Sequence, residues 1–457
     1  MTYNEYVTTL DGILQIGSSF DIIKRNLKLL DNKEATLYFI DGLTKDEISV
    51  RLFEYLAKAP IRDIDHNIPY AEVDGTTDIN RMITSVMSGS TVLVVDGLEQ
   101  AKIIDTRTYP VRSVSEPEND KVLRGSRDGF TETIVFNTAL IRRRIRDPNL
   151  TFSLKQIGTY TRSDIALCYI KGRADQKFVD NINKQLDNIK IKALNFAEES
   201  LAECLIKRAW YNPFPKIRYT ERPDAAAAML LEGSVIIICD NTPSVMILPT
   251  SIFDFLQESD DFHLPPLTSS YLRIIRLLVF MVTIFATPTW YLLVKNPDWI
   301  PNMFKFIGIS ESTDLPIIVQ LLLIEVAIDG LKMAAMNTPS TLNSSLSIVG
   351  GLILGDFAVK SGWFIPQTIL YMAIVTIANY TQPSYELGYA FKFTRIFLLL
   401  ATALFNYWGY GAAIIIMIIF IATNKSIDGS RSYLYPLIPW NGSAMKRLLT
   451  RVKLKID

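Results

Sequence analysis

What most constrains this chain is the part after Pro265, where long apolar runs follow one another almost to the end. A helix needs about 20 mostly apolar residues to cross a bilayer. Before Pro265 the charges are dense and the apolar runs are short. A mean hydropathy of +0.19 with 21% charged residues is what averaging a soluble half and a membrane half gives. The expected fold is an α/β cytoplasmic N-terminal region of two subdomains, followed by an α-helical transmembrane bundle of about six spans.

Five stretches carry that count. Leu277–Val294 holds Pro288 as an expected kink, and Leu315–Met336 and Ser344–Phe364 follow. Ile365–Tyr380 is near the minimum length, and Phe393–Ile421 is too long for one level span. "NYWGYG" at 406–411 would break the last into two helices. The tail 425–457 has seven Lys or Arg against two Asp, which places it in the cytoplasm. The opening MTYNEYVTTLDGILQIG lacks a basic region and an apolar core, so the N-terminal portion is expected to stay there too. Both ends on one side require an even number of spans, six rather than five. The membrane part is therefore set at 269–424. Met445 to Leu454 suits either anionic lipid or open solvent.

The second stretch contains Glu325, Asp329 and Lys332. A charge at mid-depth costs roughly 2.5–3.5 kcal/mol. Glu325 and Asp329, four apart, share a helix face, and Lys332 is within reach of Asp329. Asp356 and Lys360 repeat the spacing. Three readings stay open: interhelical ion pairs, an ion path, or a crevice for lipid or substrate. Ser344, Ser347, Gly351 and Gly355 fall on one face, which suits close packing or a pore axis shared by several copies. Glu386, in "QPSYELG", either binds a cation or pairs with Lys392 or Arg395.

Residues 1–110 read as an α/β subdomain, with Asp96-Gly97 as a hairpin turn. Residues 111–150 read as a helical connector ending in "RRRIR", where cations suit a helix C-terminus. Residues 151–268 read as a second α/β subdomain, with Pro223 starting a helix and Gly233 ending it. No phosphate loop or dinucleotide fingerprint is present. Cys168, Cys204 and Cys239 have no metal-ligand spacing and are expected as buried free thiols, and the two histidines, His66 and His263, support neither zinc nor a triad. No catalytic set, cofactor, metal or nucleic-acid partner is expected. "GYG" at 409–411 lacks the Thr-Val of a potassium filter and reads as an aromatic belt.

Three strings resemble the A subunits of the GerA family of spore germinant receptors. They are "EPENDKVLRGSRDGFTETIVFNTALIRRRIRDPNL", "TERPDAAAAMLLEGSVIIICDNTPSVMILP" and "TQPSYELGYAFKFTRI". The resemblance covers roughly residues 110–440. "MNTPSTLNSSLSIVGGLILGDFAVKSG" is most like the stage V sporulation protein AF branch. The resemblance implies a multi-pass protein of the spore inner membrane, its N-terminal domain facing the cytoplasm or spore core. It implies a homo-oligomeric cation channel, a ring and expectedly a pentamer, that contributes to ion release and amplifies the nutrient response. The alternatives are a non-conducting scaffold assembling germination receptor complexes, or a nutrient receptor A subunit proper. On the channel reading Glu325, Asp329, Ser344, Ser347, Gly351, Gly355 and Asp356 border the ion path, with charge pairing among Lys332, Lys360, Glu386, Lys392 and Arg395. The expected partners are further copies of the chain, other germination membrane proteins and membrane lipid.

Overall fold

A computed structural model describes residues 1–109, 125–206, 211–258, 261, 264–309, 315–338, 351, 358–424, 427 and 432–450. The chain divides into two units. The first is Met1–Arg208 with Lys216–Thr250 and Ile427–Ser430; the second is Ala209–Pro215, Ser251–Ser426 and Arg431–Asp457.

The first unit contains one topology twice. The first copy runs α1 (Tyr3–Ile13), β1 (Ile22–Lys28), β2 (Glu34–Ile40), α2 (Asp46–Lys58), α3 (Ile61–His66), β3 (Val73–Thr76), α4 (Ile79–Met87), β4 (Thr91–Val95), β5 (Ala101–Ile104). The second runs α5 (Ile134–Arg144), β6 (Leu150–Ile157), β7 (Ser163–Ile170), α6 (Gln176–Asp187), α7 (Ala197–Leu205), β8 (Arg218–Thr220), α8 (Pro223–Leu231), β9 (Val235–Cys239), β10 (Val245–Leu248). Each forms a five-stranded antiparallel sheet, ordered β1-β2-β4-β5-β3 and β6-β7-β9-β10-β8. Strand for strand the orders are the same.

Local chemistry accounts for the elements. Thr2 and Glu5 form a capping box on α1, which buries Tyr6 and Leu10. Asp78 and Asp175 cap α4 and α6 through their side chains. The Asp96-Gly97 turn joins β4 to β5 in an antiparallel pair, as expected, with Gly97 at φ +98°. Pro223 begins α8, and Gly233 follows it at φ +95°. Upstream of it, the Thr220 hydroxyl accepts from the Arg222 amide at 3.2 Å. Strands β4 and β9 are buried throughout, so both faces of each sheet are covered. Cys168 and Cys239 are buried free thiols, which burial pushes well above the usual thiol range. Cys204 is exposed instead, on the outer side of α7.

The second unit is helical: α9 (Pro266–Lys295), α10 (Ile317–Asn337), α11 (Pro366–Tyr380) and α12 (Tyr385–Thr423) pack together, and α13 (Gly442–Leu449) lies in the tail. Here the expectation of about six spans is corrected. Among the described residues two helices, α9 and α12, are long and apolar enough to cross a membrane. α10 has the length but carries Glu325, Asp329 and Lys332. α11 has 15 residues, too few for the hydrocarbon core. Most of Ser344–Phe364 lies outside the described residues. Pro288 is buried within α9, which runs through it as one helix.

α12 does contain the expected interruption. Asn406 leaves helical geometry at φ 52°, ψ −135°. The contacts with α9 on either side of it run in opposite order. Before the break, Phe391 meets Phe280, Arg395 meets Thr283, and Ala403 meets Lys295. After it, Tyr410 meets Thr289. The chain therefore doubles back, and Gly409 lies so close to Ala401 that a Cβ there would run into its carbonyl.

Candidate functional site

The charges on α10 meet charges on α12. Glu325 is 2% exposed. Arg395 gives it a forked contact, Nε and Nη2 both 2.6 Å from Oε1, and donates from Nη1 to the Thr283 carbonyl of α9 at 2.8 Å. Lys392 stands between the two acids. Its Nζ donates to the Glu325 carbonyl at 3.0 Å, lies 3.4 Å from Oε2 of Glu325, and bonds Oδ2 of Asp329. Two carboxylates thus face two cations, and three helices are tied at one level. Such a pair holds only while both partners are present, because a charge left alone in the interior is strongly destabilising. Asp329 Oδ1 is buried with no hydrogen-bond partner among the described residues.

Lys332 does not turn to Asp329 in the way the spacing suggests. Its ammonium lies over three tyrosine rings, 4.5 Å from Tyr380, 5.4 Å from Tyr389 and 5.8 Å from Tyr385. Lys392 and Arg395 are engaged by Glu325 and Asp329; Glu386 is half-buried in the first turn of α12. Lys360 is exposed at the end of the helical turn Ala358–Lys360, and Gly351 is exposed. Ser344, Ser347, Gly355 and Asp356 lie outside the described residues.

Sequence reading missed the direct partnership of α10 with α12. A signal for it exists: Lys392 and Arg395, three apart on a helix otherwise charged only at Glu386, complement Glu325 and Asp329, four apart on another. It also missed Asn296, whose side chain exchanges two amide hydrogen bonds with Asn406, at 2.8 and 3.0 Å.

In the first unit, the start of "RRRIR" is a tie between the two copies. Arg142, fully buried, donates to both carboxylate oxygens of Asp21, at 2.7 and 3.0 Å, and to the carbonyls of Asp147 and Leu150. Arg144 pairs with Asp128, and Arg143 lies over the Tyr109 ring. A cavity of about 290 Å³ opens beside α5 among Asp41, Lys45, Asp46, Tyr109 and Phe136. Burial holds the Asp41 carboxyl above its usual range, helped by the charges of Asp46 and Asp21 and opposed by the Gly42 amide. Among the described residues no cluster of His, Cys, Asp or Glu could hold a metal ion.

The family described as Bacillus/Clostridium GerA spore germination protein matches residues 11–457. Stage V sporulation protein AF of Bacillus subtilis (strain 168) is 37% identical over 445 residues, 95% of this chain and 90% of the relative. Spore germination protein KA of the same organism is 30% identical over 456 residues, 96% and 82% of the two chains. The crystal structure of the N-terminal domain of the A subunit of the Bacillus megaterium spore germinant receptor GerK3 is 29% identical. Its TM-score is 0.40, and the match covers 53% of this chain and 93% of that one.

Proposed function

The chain belongs to the GerA family of spore germination proteins, and we infer that within it this protein is a non-conducting, membrane-anchored subunit that assembles other germination membrane proteins. The family is one of membrane-associated germination proteins, not of enzymes. On this reading the doubled α/β unit faces the cytoplasm or spore core and presents the docking surface, and the helical unit holds it at the spore inner membrane.

One observation carries the proposal. Glu325 and Asp329, the acids best placed to attract cations, are matched within a single chain by Arg395 and Lys392. Their charge is used to join α10 to α12, leaving little negative potential for a path. In liposomes the purified full-length protein should pass no more potassium than empty vesicles. Cross-linking in spore membranes should recover other germination membrane proteins with it. Selective cation flux from the protein alone would overturn this reading.

A second reading, a homo-oligomeric cation channel that amplifies the nutrient response, draws on the Oδ1 of Asp329, which has no hydrogen-bond partner among the described residues. It requires Asp329→Asn to lower flux at unchanged protein level, and unchanged flux removes it.

A further inference from the structure

The two hairpin tips of the first unit differ where their shared topology asks for no difference. In the first copy the β1–β2 tip keeps its charges within the fold. Lys33 pairs with Asp96 at 3.0 Å, and Asp31 accepts from the Ile61 amide at 3.0 Å. In the second copy the β6–β7 tip is fastened to the loop between α6 and α7. The Thr159 and Tyr160 amides donate to the carbonyls of Ile191 and Lys192, at 3.2 and 2.8 Å, and the Leu194 amide donates to the Thr161 hydroxyl at 3.3 Å. The fastened loops carry two rings and three cations. Tyr160 and Phe196 are each 79% exposed, and Arg162, Lys190 and Lys192 are exposed as well. No carboxylate pairs with these cations among the described residues. The acids of the adjoining segments are engaged elsewhere: Asp187 by Lys155, Asp164 by Gln156, Glu198 by Ser244 and Glu199 by Tyr219.

Packing does not explain the rings. The core beneath is built from residues such as Ile157, Leu186, Leu194 and Leu201, and neither Tyr160 nor Phe196 belongs to it. Large rings left open to water are unfavourable, and grouped together they mark a surface that something covers. Rings beside unpaired Lys and Arg suit a membrane–water interface, where rings lodge at headgroup level and cations meet lipid phosphates. The chain is membrane-associated, and α9 and α12 are long and apolar enough to cross a bilayer. A headgroup layer is therefore the surface that its soluble part meets at the highest effective concentration.

We propose that the fastened loops of the second copy are a lipid-docking surface for an anionic bilayer. Tyr160 and Phe196 enter the headgroup region, and Arg162, Lys190 and Lys192 meet lipid phosphates. The tip of the first copy, with its charges matched inside the fold, has no such role. The proposal is independent of the assembly reading and stands whether or not the protein conducts.

The test uses full-length protein carrying Cys204→Ser, so that the remaining native thiols, Cys168 and Cys239, are buried. Phe196→Cys, and separately Tyr160→Cys, takes an environment-sensitive fluorophore. Leu30→Cys, on the 65% exposed residue of the first copy's tip, is the control. Each is reconstituted into vesicles of phosphatidylcholine alone or of phosphatidylcholine with phosphatidylglycerol. With phosphatidylglycerol the labels at 196 and 160 should shift to the blue and be quenched by spin-labelled lipid, and high salt should reverse both changes. The label at 30 should stay wet in every vesicle. Adding Arg162→Gln, Lys190→Gln and Lys192→Gln together should remove the response at 196. Labels at 196 and 160 as wet as that at 30 would overturn the proposal, as would a response that survives loss of the three cations. Shielding at 196 in spore membranes but not in phosphatidylglycerol vesicles would also overturn it, and would assign the surface to a protein partner.

Discussion

Helices α1 and α5 hold the same place in the two copies of one topology, yet the ninth residue of each is used differently. In α1 it is Asp11, which pairs with Lys24 and accepts from Tyr38 inside its own copy. The Asp11 and Lys24 side chains are 33% and 20% exposed. In α5 it is Arg142, which leaves its own sheet and enters the other copy to grip Asp21, both side chains being almost wholly buried. One topology thus yields a local, partly wet pair and a dry pair that spans two copies. Water relaxes the first and cannot reach the second, so loss of a partner should be felt very differently.

The largest effect should follow from cutting the dry pair. Arg142→Ala leaves the buried Asp21 without its cation, with the Ser19 hydroxyl still donating to it, and should lower the unfolding free energy by about 3–5 kcal/mol in a denaturant titration. Asp21→Leu combined with Arg142→Met should recover most of that loss. If the double variant is as unstable as the single one, the loss comes instead from the bonds of Arg142 within its own copy, to the carbonyls of Asp147 and Leu150.

The two glycines after α4 and α8 give the next comparison. Gly89 and Gly233 stand at φ +97° and +95°, just ahead of β4 and β9. An alanine at either should cost about 1–3 kcal/mol for the backbone alone. Gly233→Ala should be the worse, since its Cβ would lie 2.8 Å from the Arg173 carbonyl oxygen, a backbone atom, whereas that of Gly89 would meet the Leu43 side chain at 3.0 Å. Thermal midpoints of the two variants check the order.

A smaller contrast lies in the titration of α3 and α7. Asp65 is held below the usual carboxylate range, first by its hydrogen bond from Lys102. Its contribution is present above the unfolded-state value and lost as pH falls through the folded one. Burial holds Glu198 above that range, opposed by the Ser244 hydroxyl. Its contribution is present at low pH and lost as pH rises through the folded value. Unfolding measured at pH 4 and pH 7 should therefore show Asp65→Asn flattening the acid loss and Glu198→Gln gaining relative to wild type at pH 7. The Asp65 side chain is 41% exposed, so its effect should not exceed about 1 kcal/mol. Least affected should be Asp11→Asn, which keeps the Tyr38 acceptor and should stay within about 1 kcal/mol of wild type. A larger loss there would erase the contrast between the two helices.

Much of the first unit was legible because its signals are local. Asp96-Gly97, Pro223 and Gly233 each act within a few residues, and the structure places them in the expected turn, helix start and helix end. The duplication was equally present and went unread. "FIDGL" and "YIKGR" each close a strand ahead of a helix, and Gly89-Ser90 and Gly233-Ser234 each precede a buried strand. In the second unit the break at Asn406 was legible from composition, but the pairing of α10 with α12 was not. Periodicity shows which residues share a face; it does not show which face of which helix they meet, across some 70 positions of chain. The count of spans failed for a related reason. Hydropathy scored α10 by its apolar majority, while its three charged residues and the shortness of α11 set them apart from α9 and α12.

The doubling back of α12 fixes a rotational phase as well as a direction. A helix turns about 100° per residue. One residue added between Asn406 and Tyr410 would swing the whole returning segment by that angle. Tyr410 would leave Thr289, and Ala413, Met417 and Ile421, spaced four apart on the buried side, would rotate out toward whatever surrounds the protein. A crease that sharp tolerates a change of side chain far better than a change of length.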